Sequence, residues 1–137
     1  AWRTVEMLPT ARDLFVADEL QARISDKSNS TVGRNRPSYM LSWLQRLEQK
    51  TPILLSALNL GDISLLHLPA ESFIEYQLRA QTLAPDRFVA TAAYGDGGPW
   101  YIPIAQEYAN GGYEVSVAFS DSSIDATMTA GIAKLLG

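Results

Sequence analysis

The chain contains no cysteine and a single histidine, His67. The first absence excludes disulfides, thiol nucleophiles and cysteine-ligated metals. The second makes a self-contained serine triad or catalytic zinc site hard to assemble, because both draw on histidine. There is also no basic run able to track a phosphate backbone. Lys and Arg number 11 against 15 Asp and Glu, a formal charge of −4, so nucleic acid is not expected as a partner. No apolar stretch approaches the roughly 20 residues of a spanning helix, so no transmembrane segment is expected. The opening "AWRTVEMLPTARD" lacks the charged lead and apolar core of a signal peptide. A Gly-x-Ser-x-Gly elbow is missing as well. The "GDGG" at 95 to 98 has neither the lysine of a P-loop nor the spaced glycines of a dinucleotide fingerprint, so it reads as turn geometry with Asp96 at its tip.

What is present suffices for one compact domain spanning 1–137, since 47% of the 137 residues are hydrophobic. The chain starts at alanine and enters strand-like sequence almost at once, and we expect it to be a segment of a longer polypeptide. "RTVEMLP" alternates as a half-buried strand does, and Thr10 with Asp13 forms a capping-box pattern ahead of an amphipathic helix, "ARDLFVADELQARIS". Residues 26–36 are polar and read as a loop. Pro37 and Ser38 then open a helix with Met40, Trp43, Leu44 and Leu47 on one core-facing stripe.

"PILLSALNLGDISLLHLP" is an antiparallel hairpin turning at Leu-Gly-Asp, followed by a helix in "AESFIEYQLRAQTL" and strands in "DRFVATAAY" and "YEVSVAF". A final helix, capped by Ser122 and Asp125, closes the chain. The expected class is α+β, a single mixed sheet with a central hairpin and helices packed mainly on one face.

Two places invite chemistry. Glu71 follows an apolar strand at the entry to a helix, where a carboxylate suits a metal ligand or a base. Acidic residues are equally common in first helical turns for the dipole alone, and position leaves both readings open. His67 lies four residues earlier, but in strand-like sequence, where that spacing does not align side chains, so it reads as a strand histidine. The second place is "YGDGGPWYIPIAQEYANGGYE", residues 94–114, with four tyrosines and five glycines. Its tyrosines either pack turns and core, or line a site, or form a binding surface.

In order, "LHLPAESFIEYQLRA", "AAYGDGGPWYIPIAQEY" and "NGGYEV" resemble the carboxy-terminal part of the catalytic domain of neutral ceramidases, a family of zinc-dependent amidohydrolases. The resemblance covers about residues 55 to 119. Family members carry Pro-Gly-Glu entering a helix, with the glutamate on zinc. Pro69-Ala70-Glu71 occupies that place, with alanine for the glycine. Tyr101 falls on a second metal ligand, with Trp100 where a glycine precedes it, and Tyr113 falls on a tyrosine that contacts the reacting substrate. Asp96-Gly97-Gly98 replaces Asn-Ala-Tyr.

The resemblance thus implies zinc in the intact parent protein, held by Glu71 and Tyr101 together with two histidines upstream of this chain. It implies Tyr113 as the catalytic residue, an N-acyl lipid such as ceramide as substrate, and a secreted or periplasmic parent. The chain alone is expected to be inactive and to bind no zinc tightly. Its partner is the missing amino-terminal part of the same protein, and without it the fragment is expected to self-associate. The alternative is a stand-alone interaction domain that binds through the Tyr- and Trp-rich loop.

Overall fold

The structure, a computed structural model, describes residues 1–95 and 98–137. Asp96 and Gly97, on which the expected turn at 95 to 98 falls, lie outside the described residues. Strand β1 (Trp2–Met7) leads through helices α1 (Ala17–Ser25) and α2 (Thr31–Glu48) to strands β2 (Ile53–Leu60) and β3 (Ile63–Pro69). A two-residue strand β4 (Glu71–Ser72), helix α3 (Ile74–Leu83) and strand β5 (Phe88–Gly95) follow. The chain ends with β6 (Tyr101–Ile102), two short helices α4 (Glu107–Asn110) and α5 (Tyr113–Val117), and α6 (Ile124–Leu136).

The main sheet has the order β1-β2-β3-β5. Its first two pairings are antiparallel and the last is parallel, so the mixed α and β class and the central hairpin are as expected. Gly61, at φ 61°, supplies the left-handed residue of the hairpin turn. Alternation sends Ile53, Leu55, Ala57, Leu66, Leu68 and Val89 inward. Against them lies α6, whose Ile124, Met128, Ile132 and Leu135 recur at helical spacing and are fully buried. Gly131 lets this helix approach closely, since a Cβ there would stand 3.1 Å from Leu55 Cδ2. On the outer face of the sheet Trp2, Leu54, Leu65 and Phe88 are exposed.

The free edge of β5 is covered rather than open. Gln77 Oε1 accepts from the Thr91 backbone N–H at 2.8 Å, and Gln81 donates to the Val89 carbonyl at 3.3 Å. Side chains of α3 thereby replace a neighbouring strand.

Several local expectations are corrected. The first helix starts at Ala17, not Ala11, because Ala11 bridges Ser120 and Arg12 donates its N–H to the Phe119 carbonyl, holding this stretch extended. The polar loop is much shorter than 26–36, since α2 begins at Thr31. Ser30 Oγ caps it by accepting from Gly33 N–H at 3.1 Å, and Pro37 sits inside the helix. That turn carries no apolar stripe, so periodicity could not reveal it, whereas Met40 and Trp43 are buried as read. "YEVSVAF" is not a strand: residues 113–117 form α5, with Ser116 N–H bonded to the Gly112 carbonyl. Its Val115 and Val117 are buried, but over so short a run alternation does not distinguish strand from helical turn.

Neither Ser122 nor Asp125 caps α6, whose N-cap is Ser123. The Asp125 carboxylate joins three elements: it accepts from Arg79 of α3, which also donates to Thr129 at 3.0 Å, and from the Ala105 N–H at 2.9 Å. Burial raises its pKa, but the hydrogen bonds from Arg79 and Ala105 outweigh this and leave it below the usual carboxylate value. Asp125→Ala therefore strands a part-buried guanidinium and an amide. It is expected to lose about 2–3 kcal/mol of stability by urea unfolding. The native carboxylate's contribution is complete above its unfolded pKa of about 4 and fades as pH falls through its lower folded value. The variant should accordingly lose less stability than the parent on acidification.

Candidate metal and substrate site

At the carboxy end of β3 the chain leaves the sheet through a bulge between His67 and Pro69. Ala70 then adopts φ 54°, a left-handed conformation unusual for a residue with a Cβ. Its N–H donates to the Gly95 carbonyl at 3.1 Å, and its carbonyl accepts from Tyr94 N–H at 2.7 Å. This turn swings Glu71 out of register with the main sheet and into a separate parallel pair, β4 with β6, where Glu71 faces Tyr101 and Ser72 faces Ile102. Hydrogen bonds from Glu71 N–H to the Trp100 carbonyl at 2.7 Å and from Phe73 N–H to the Ile102 carbonyl at 3.2 Å fix the pairing.

Glu71 is therefore a strand residue, not the first-turn acid of a helix, and Glu75 occupies that position in α3. The dipole argument for its placement does not apply. The backbone ladder holds it instead, about 4.8 Å from its partner strand.

Trp100 also takes left-handed backbone, with φ 58°, as does Tyr94, at φ 63°. The Trp100 ring is locked by stacking on Phe119, with centroids 5.1 Å apart, by Arg36 5.6 Å above the ring, and by Tyr39 at 6.0 Å. Ala70 and Trp100 are the two positions at which the resemblance calls for glycine, and both have the backbone that glycine would adopt most readily. The glycine pattern thus reports a backbone requirement that this chain meets by packing.

The three candidate residues are brought together. Tyr101 stands in register with Glu71, and the carboxylate beside its phenol, with desolvation and the negative charge of Glu114 nearby, pushes its pKa up to about 12. Tyr113, at the start of α5, is exposed, and its ring meets Tyr101 edge-on with centroids 6.0 Å apart. It also lines a depression of about 450 Å³ shared with Arg36, Tyr39 and Trp100.

The other tyrosines of the loop have different fates. Tyr108 is half-buried and donates to the Ser120 carbonyl at 3.0 Å, a packing role, while Tyr94 is exposed. Tyr76, which no motif singled out, is fully buried and donates to the Pro103 carbonyl at 3.0 Å, supporting the segment just after β6. His67 sits in β3 opposite Ser56 and Ala92 as a strand histidine. It packs so closely on Gly95 that a Cβ there would come within 2.3 Å of His67 Nε2.

Glu71 and Tyr101 offer two oxygen donors of the kind that zinc accepts, which is half of a four-coordinate shell. Among the described residues no group of three or more His, Cys, Asp or Glu could hold a metal ion.

A fold similar to that of part of this chain is found in known proteins. A neutral ceramidase from Pseudomonas aeruginosa and a ceramidase complexed with C2 each superpose with a TM-score of 0.56, at 19% identity over 63% of this chain. The fold is ceramidase-like. This chain spans only 15% of the first of these solved chains and 14% of the second. No family profile matches the sequence, and no curated protein shows significant similarity to it.

Two outcomes are expected at this site. Glu71→Gln removes the charge and the strong acceptor opposite Tyr101, so the phenol's pKa should fall from about 12 toward the ordinary value of about 10. Ultraviolet difference titration, with Tyr101→Phe to assign the transition, reads this directly. At Ala70, valine should cost about 2–3 kcal/mol, because a β-branched side chain tolerates the left-handed backbone poorly, whereas glycine should stay within about 0.5 kcal/mol of the parent. Chemical denaturation of both variants measures the contrast.

Proposed function

We propose that this chain is the carboxy-terminal segment of a ceramidase-like, zinc-dependent amidohydrolase that hydrolyses an N-acyl amide bond such as that of ceramide. The observation that carries this reading is the juxtaposition of Glu71 and Tyr101 in one strand pair, with Tyr113 against them, on a ceramidase-like fold. Glu71 and Tyr101 would hold the zinc with two histidines from the preceding part of the protein. Zinc supplies Lewis-acid polarisation of the amide carbonyl and an activated water.

The chain's own residues do the rest. Glu71 brings the negative charge that a divalent cation requires, and Tyr101 gives up its phenolic proton when it becomes a ligand. Its raised pKa in the metal-free arrangement therefore opposes zinc binding by this chain alone. Tyr113 remains a neutral hydroxyl, suited to donating a hydrogen bond to the oxyanion of the tetrahedral intermediate. The exposed depression beside it, walled by Tyr39, Trp100 and Arg36, gives the substrate a place to lie. Trp100 stands in this wall where the family has glycine, and another lipid amide is the alternative to ceramide as substrate. The apolar outer face of the sheet, with Trp2, Leu54, Leu65 and Phe88, supports a segment meant to be covered by the remainder of a larger protein.

The test is amide hydrolysis by the full-length natural polypeptide in the presence of zinc, with release of fatty acid from N-acyl sphingosine and from simpler N-acyl amines. Glu71→Gln and Tyr101→Phe are expected to lower zinc occupancy and turnover together. Tyr113→Phe should keep the metal and lower kcat by about 100-fold or more. Full-length protein without metal and without amide turnover would overturn the reading.

A further inference from the structure

The depression of about 450 Å³ beside Tyr113 is walled by two guanidinium-bearing residues, Arg23 from the last turn of α1 and Arg36 from α2. Two cations thus come to one place in a chain whose formal charge is −4. Arg23 is exposed, and Arg36 is half-buried with its guanidinium 5.6 Å from the centre of the Trp100 ring. Arg36 Nη2 also donates to the Ser116 carbonyl at 3.0 Å. An aromatic face and a carbonyl are uncharged partners, so these two contacts fix the cation without cancelling its charge.

The place where Arg36 is fixed matters for the reaction. Ser116 belongs to α5, the short helix that begins at Tyr113, and Arg36, Trp100 and Tyr113 line the depression together. Negative charge gathers at Tyr101, from Glu71 and Glu114, whereas the depression that Tyr113 borders carries positive charge. A neutral lipid amide gives these guanidinium groups nothing to pair with, while an amide bearing an acidic group does. The acyl chain of a lipid amide is hydrocarbon, so the acidic group belongs to the amine part.

We infer that the substrate is an N-acyl amino acid, its carboxylate held by Arg36 together with Arg23 and its amide beside Tyr113. An α-carboxylate stands a single carbon from the amide nitrogen, so holding it also orients the bond to be broken. In the hydrolysis, water adds its hydroxyl to the acyl carbon, the C–N bond breaks and the leaving nitrogen takes the proton, giving a fatty acid and a free amino acid. The inference rests on the hydrolase reading for the reaction and adds to it the class of amine released.

N-octanoylglycine and N-octanoylglycinamide differ in charge and hardly in shape, which makes them a matched pair of probes. With the full-length natural polypeptide in chelator, calorimetry should show N-octanoylglycine binding about tenfold or more tighter than the neutral amide, a margin that shrinks in high salt. With zinc supplied, kcat/KM for octanoate release should favour the anionic substrate by a similar factor. Arg36→Gln should lower kcat/KM for the anionic substrate about tenfold and change that for the neutral one by less than about twofold, with partial recovery in Arg36→Lys. Arg23→Gln should cost the anionic substrate about threefold. An equal loss for both substrates in Arg36→Gln would mean that Arg36 only props α5 through Ser116, and would overturn the proposal. Equal binding of the two ligands by the parent protein would do the same, and it decides the matter even if a variant fails to fold. Turnover of both substrates at equal rates would remove the anionic preference and leave the hydrolase reading standing. Absence of any amide turnover with zinc would overturn the hydrolase reading and this proposal with it.

Discussion

The pairing of β4 with β6 is the constraint on which the site depends. It joins two segments 30 residues apart through four peptide groups, and Ala70 and Trp100, which lead into its two strands, both take left-handed backbone. A continuous β3 would carry Glu71 onward along the main sheet, beside β5. The turn at Ala70 instead takes the chain away from that sheet, so that Glu71 meets Tyr101. The strain at both residues is held by burial: Ala70 is nearly inaccessible and Trp100 is clamped in the Phe119, Tyr39 and Arg36 cluster.

The rest of the molecule supports this junction from behind. Asp125 reaches from α6 to Arg79 in α3 and to the Ala105 amide, and Tyr76 holds the Pro103 carbonyl, so the segment running out of β6 is tied to two helices. Tyr108 fixes the next turn through Ser120. Polar groups that might have been read as functional thus position the backbone, while Tyr113, beside the neighbouring depression, is exposed. The same economy explains Gly95, which leaves room for His67 and so closes the parallel pairing of β3 with β5.

Much of the fold was legible along the chain. The hairpin of β2 and β3, the core stripe of Met40 and Trp43, and the helical character of α3 and α6 follow from periodicity and turn residues, which are local properties. The errors also have local causes. Thr10 and Asp13 form a plausible cap, but Ala11 is recruited by Ser120 more than a hundred residues later, and no window around residue 11 contains that information. Val115 and Val117 alternate like a strand, yet the Ser116 N–H bonds back to the Gly112 carbonyl and closes a helical turn instead. The candidate residues were found through the family resemblance, since spacing alone left Glu71 as either a ligand or a first-turn acid.

By itself the sequence determined the class of the fold, the hydrophobic faces of its main elements and the types of donor available: one histidine, no thiol, and a tyrosine-rich loop with an acidic residue upstream. These depend on residue identity and on spacings of two to four positions. Only the tertiary structure decided that Glu71 and Tyr101 are register partners and that Tyr113 packs on Tyr101 while Tyr108 turns inward. The reason is physical. Each of these contacts closes a long loop, and its geometry is set by backbone turns at positive φ and by helix packing, neither of which leaves a periodic signature in the order of residues.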